Sequence, residues 1–140
     1  MGTNIRNEIS HNNTYYITKD RYLELLHFVK QYPEWKHELV TIDGICSKSA
    51  GFEERINSGK TSNPTEIYAE TRMYYTDRIK MVEKAAFTAT DEEFGRKLIF
   101  AITTGLGYGK IEARGLTRCG KEVWYAAYRK FFWILDKMRK

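Results

Sequence analysis

Apolar residues recur along this chain at the spacing of helices rather than strands. Tyr22, Leu25, Leu26 and Val29 share one face of a stretch that Thr18-Lys19-Asp20 can cap and that runs to Gln31. Pro33 is expected to end it, because the residue before a proline is pushed out of the helical region. Pro33 also suits the first turn of the next helix, where Trp35, Leu39 and Ile42 fall on one side and Gly44 marks a stop. Residues 47–63 lose the period and collect glycine and serine, which predicts a linker or flexible loop. Asn63-Pro64 then reads as an N-cap with proline in first position. It opens a long helix to about Phe87, striped by Ile67, Thr71, Tyr74, Tyr75, Ile79, Val82 and Ala86.

The third part of the pattern is the densest. Thr90-Asp91-Glu92-Glu93 has the form of a capping box with Thr90 as N-cap, and turns Phe94, Leu98, Ala101 and Ile102 inward. Gly105-Leu106-Gly107 closes that helix. A short helix from Tyr108 to Arg114 follows, then a tight Gly115-Leu116-Thr117-Arg118 connection. The last helix carries Trp124, Ala127, Phe131, Ile134 or Leu135, and Met138 on one stripe, with Lys121, Tyr125, Arg129 and Lys130 largely off it. The prediction is an all-α protein: a disordered tail over 1–14, a helical hairpin over 15–46, the loop over 47–63, and over 64–140 a long helix leading into a trihelical, helix-turn-helix-like module.

Charge sharpens that outline. The chain of 140 residues has a formal net charge of +5. Residues 96–140 hold eleven Lys and Arg against three acids, a local +8, while residues 1–95 carry −3. The positive charge sits where the helix-turn-helix outline lies, as expected of a protein that binds a phosphate backbone. No stretch is long and apolar enough for a membrane span, and residues 1–14 lack the apolar segment of a secretory signal. The two cysteines, Cys46 and Cys119, make no disulfide framework. The expected compartment is the cytoplasm.

Catalytic, metal and cofactor chemistry find no support in the motifs. Gly105-Leu106-Gly107-Tyr108-Gly109-Lys110 has the wrong spacing for a phosphate loop, lacks the following Ser or Thr, and follows a helix rather than a strand. His11, His27, His37, Cys46 and Cys119 form no ligand pair at metal-site spacing. Cys119 lies at a helix start but has no recognisable base partner, and the acidic runs read as loop and capping residues. The expectation is a non-enzymatic protein without metal or cofactor.

Two stretches carry a resemblance. One runs from Tyr16-Ile17-Thr18-Lys19-Asp20-Arg21-Tyr22 through Gln31-Tyr32-Pro33-Glu34-Trp35-Lys36-His37-Glu38-Leu39. The other is Cys119-Gly120-Lys121 followed by Tyr125 and Tyr128-Arg129-Lys130-Phe131-Phe132-Trp133-Ile134-Leu135. With the Asn63-Pro64-Thr65 helix start between them, the chain resembles small phage and prophage proteins of Gram-positive bacteria. Its layout is similar to the RinA and ArpU phage transcription regulators. The resemblance implies a helical N-terminal part and a C-terminal helix-turn-helix like region four of sigma factors.

The functional expectation is a phage-type DNA-binding transcription regulator. Arg114, Arg118, Lys121, Arg129 and Lys130 are expected to contact duplex DNA, with Lys110 and Tyr125 in support. The helices before residue 90 would form a homodimer or contact RNA polymerase. Tyr125, Phe132 and Trp133 fit the apolar stripe less well and are open to DNA, a second protomer or the hairpin. The rival expectation is a protein-binding inhibitor of a host defence nuclease, of the anti-CRISPR kind, which exposed Tyr, Trp and Arg would serve. A pull-down from nuclease-treated lysate separates the two.

Overall fold

In the computed structural model, residues 14–56 and 64–139 are described, with residues 45–56, 64 and 65 described by backbone alone. Among them there is no strand, and the fold is all-α. The helices are α1 (Lys19–Lys30), α2 (Tyr32–Ile56), α3 (Pro64–Ala89), α4 (Glu92–Thr104), α5 (Tyr108–Ala113) and α6 (Lys121–Met138). The expected tail lies outside the described residues except for Thr14, which is in a turn. Residues 57–63 of the expected loop lie outside them as well.

The helix starts follow from short polar side chains. Thr18 accepts from the Arg21 N–H and caps α1. At α4 the cap is one residue later than the Thr90 box predicts: the Asp91 carboxylate accepts from the Phe94 N–H at 2.7 Å. The Thr90 hydroxyl instead donates back to the Ala86 carbonyl and to that of Asp91. A carboxylate makes the stronger, charge-assisted cap, so it takes the position.

Two helix ends use the same device. Gly105 and Gly115 are the glycines with left-handed φ, +75° and +69°. After α4, Leu106 N–H reaches Ala101 O and Gly105 N–H reaches Ile102 O. After α5, Leu116 N–H reaches Ile111 O and Gly115 N–H reaches Glu112 O. Both are Schellman ends, which need a residue without a Cβ at the left-handed position. Gly44 does not take that conformation, so the stop expected there is absent. Helix α2 continues to Ile56, through the first ten residues of the expected loop.

The chain divides into two compact units. One comprises residues 1–32 and 81–140. Here α1 packs on α4 and α6. The core holds Tyr22, Leu25 and Val29 of α1, Val82, Ala85 and Ala86 of α3, Leu98 of α4, Ile111 of α5, and Trp124, Phe131, Phe132 and Leu135 of α6, all nearly solvent-free. Arg21 Nε meets Asp136 Oδ1 at 2.5 Å and pins α1 to the end of α6. Phe94 stacks on Trp124, with centroids 5.5 Å apart. The other unit, residues 33–80, buries Trp35, Ile42 and Ile79 and has an exposed Arg72–Asp43 ion pair. It leaves Val40, Ile67, Met73 and Tyr74 exposed, so the apolar stripe read for the first half of α3 is not a buried one there.

Candidate nucleic-acid interface

The candidate surface is built from α5, the loop 114–120 and the start of α6. Short as α5 is, it is well anchored. Its Ile111 is solvent-free, and the Tyr108 hydroxyl lies 2.8 Å from the Cys119 carbonyl and 3.0 Å from a Glu112 carboxylate oxygen. That hydroxyl is pushed up in pKa, first by desolvation and then by its bond to Glu112, so it stays a donor. The loop is folded on itself: Thr117 is buried, its hydroxyl accepts from the Cys119 N–H, and it lies 3.2 Å from Cys119 Sγ. Seven residues separate α5 from α6, more than the tight connection expected and more than the three or four of a helix-turn-helix. Gly120 occupies the N-cap of α6 with no side-chain cap, leaving first-turn N–H groups and the positive end of the helix dipole open beside Lys121.

The predicted residues separate into three groups. Lys110, Arg114, Arg118 and Lys121 are all exposed and have no ion-pair partner among the described residues. Lys110 and Arg114 stand one helical turn apart, and Arg118 and Lys121 bracket the N-cap of α6. Arg118 also shares a hollow of about 190 Å³ with Asp91, Glu93, Lys97 and Cys119, so the acidic start of α4 is its near neighbour. Arg129 and Lys130 are half-buried, and Arg129 is engaged in contacts of its own.

Tyr125 is a correction. It is 7% exposed and packs against Tyr108 and Tyr128, with centroids 6.4 Å and 6.1 Å away, so its ring does not lie on the outer surface where a duplex would dock. Phe132 is fully buried, with its ring 5.0 Å from that of Tyr22 on α1. Trp133 is half-covered, edge-on to Tyr15 and with Lys137 over its face. The cause is a second neighbour. The Trp124–Ala127–Phe131–Leu135 stripe accounts for part of the core, but α6 also packs against α1. The buried arc therefore widens to include Tyr128 and Phe132, which meet Tyr22 of α1, while Tyr125 is covered by Tyr108 of α5.

With that arc removed, the outward face of the first turns of α6 consists of Lys121, Glu122, Val123 and Ala126, followed by Lys130. Val123 is 55% exposed. Sequence reading passed over Val123 and Ala126 because Val and Ala look like core residues. For Ala126 the available signal was its place opposite Trp124 and Tyr128 on the helical wheel, whereas Val123 falls beside Ala127 and gave none.

Among the described residues no cluster of His, Cys, Asp and Glu could hold a metal ion, and no helix is long and apolar enough to cross a membrane. No family model matches this chain, and neither a curated protein nor a solved structure matches it.

Proposed function

We propose that this protein binds duplex DNA without catalysing a reaction, as a transcription regulator of the phage type, through the loop between α5 and α6. The observation that carries the reading is four exposed cations, Lys110, Arg114, Arg118 and Lys121, within twelve residues and unpaired among the described residues. Unpaired cations beside an uncapped helix start suit phosphate oxygens, since neutralising them releases condensed counterions. The acids beside these cations are Glu112, which accepts from the Tyr108 hydroxyl, Glu122, and Asp91 and Glu93 across the hollow at Arg118. Phosphate contacts of this kind set position on the duplex rather than sequence. Base readout falls to the outward α6 residues, not to Tyr125.

Fluorescence anisotropy on a short random duplex, titrated with salt, tests this. Four phosphate contacts predict log K falling with log salt at a slope of about −3.6. Charge reversal at both Arg118 and Lys121 should lose most of the affinity, and neutralising either one should reduce the slope by about 1. A salt-independent affinity, or reversal variants that bind as wild type, would refute the reading. A second reading, a protein-binding inhibitor of a host defence nuclease, is favoured by the exposed Val40, Ile67, Met73 and Tyr74 of the other unit. One stoichiometric protein captured from nuclease-treated lysate, together with no DNA affinity, would select it.

A further inference from the structure

The unit formed by residues 1–32 and 81–140 contains a cleft that the DNA reading does not use. It has a volume of about 290 Å³ and lies among α1, the turn between α4 and α5, and α6. Its apolar wall is formed by Leu23 and Leu26 from α1, Ile102 from α4, Leu106 from the turn and Trp124 from α6, and polar groups make up a comparable share of the exposed lining. Binding sites for small molecules have this character, and the volume stands at the small end of their range, suited to a single ring.

The basic side chains and the hydroxyls at the cleft favour an acceptor or an anion. The lining residues with basic side chains are Lys30 and His27, both exposed in the last turn of α1, and no carboxylate lines the cleft. Neither Lys30 nor His27 is ion-paired among the described residues. The carbonyls at that end of α1 are already occupied: Gln31 donates its N–H to Phe28 O and its side-chain amide to His27 O.

Tyr22 and Tyr128 also line the cleft. Their hydroxyls lie 2.6 Å apart and bond to one another. Two hydroxyls joined by one hydrogen bond carry two hydrogens, and only one lies between them. The other has no acceptor among the described residues, although both side chains are buried. Burial pushes both hydroxyls up in pKa, so each keeps its proton.

We propose that this cleft is a binding site for a small one-ring anion, its carboxylate or phosphate group held by Lys30 and by the spare tyrosine O–H, its ring against Trp124, Leu26, Ile102 and Leu106. A ligand seated there touches α1, α5 and α6 together. The proposal stands independently of DNA binding.

The test is an NMR titration of the full chain, methyl-labelled at Leu and Ile, with benzoate, phenyl phosphate and the neutral benzyl alcohol. Saturable shifts centred on Leu26, Ile102 and Leu106 are expected with at least one of the two anions, and which anion binds identifies the headgroup. Benzyl alcohol should bind about tenfold more weakly, since it forfeits a charge-assisted hydrogen bond. Lys30→Gln, at an exposed position that leaves the fold intact, should weaken the anion by a similar factor of about ten. The proposal is overturned if neither anion produces saturable shifts at those methyls, if benzyl alcohol binds equally well, or if Lys30→Gln leaves the affinity unchanged.

Discussion

Replacing Gly95 by alanine tests the closest approach between α3 and α4. Gly95 is buried near the start of α4, and its N–H is bonded to Asp91 O at 2.8 Å. A Cβ there would stand 2.7 Å from Phe87 Cδ1 and 3.1 Å from both the carbonyl carbon and the oxygen of Ala86. Two effects oppose. Alanine in a helix gains about 0.8–1.0 kcal/mol over glycine. Overpacking a tight contact costs about 1–3 kcal/mol. The Phe87 ring is half-exposed and can turn aside, but the Ala86 backbone belongs to a helix whose neighbouring side chains are fully buried. The net expectation is a loss of about 1 kcal/mol, or about 4 °C in melting temperature for a chain of this size. Gly44 is the control. It lies inside α2, and a Cβ added there would meet nothing within 4 Å, so Gly44→Ala should gain close to the full ~0.8–1.0 kcal/mol. Thermal melts followed by far-ultraviolet circular dichroism give both values. If Gly95→Ala raises the melting temperature as much as Gly44→Ala does, the close α3–α4 approach is wrong.

The Tyr22–Tyr128 pair predicts strong coupling. Either single change to Phe strands a buried hydroxyl and should cost about 1–3 kcal/mol, whereas the double change should recover much of that loss. Urea denaturation showing the double variant at the sum of the singles would disprove the pairing. Alkali should also destabilise the fold. The native pKa values of Tyr22, Tyr32, Tyr108 and Tyr128 are raised above the ordinary 10.0, foremost by burial, so the unfolded chain loses these protons first. Their contribution is complete below about pH 10 and declines as pH rises towards the native values, by at most about 1.4 kcal/mol per pH unit for each of Tyr22 and Tyr128. A urea midpoint that is the same at about pH 9 and about pH 11 would contradict it.

The helical pattern was legible along most of the chain because it depends on residues three and four apart and on local caps. The break at Gln31, the proline at the start of α3 and the glycine ends of α4 and α5 are all local chemistry. So is the exposed position of Lys110, Arg114, Arg118 and Lys121, since charged side chains avoid burial without a partner. The structure decided what depends on neighbours far along the chain. A helical wheel shows that α6 has an apolar stripe but not how many helices cover it. With α1 packed on Phe132 and Tyr108 of α5 on Tyr125, both became core, and Val123 and Ala126 were left facing outward. The same packing set the Tyr22 hydroxyl against that of Tyr128, across 106 residues, and left the cleft beside them. Sequence alone determined where most helices begin and end, α2 with its run past Gly44 excepted, and where they carry charge, because those depend on contacts within a turn or two. Which faces stay open and which side chains share a cleft was decided by the docking of distant helices, whose side-chain packing no local pattern encodes.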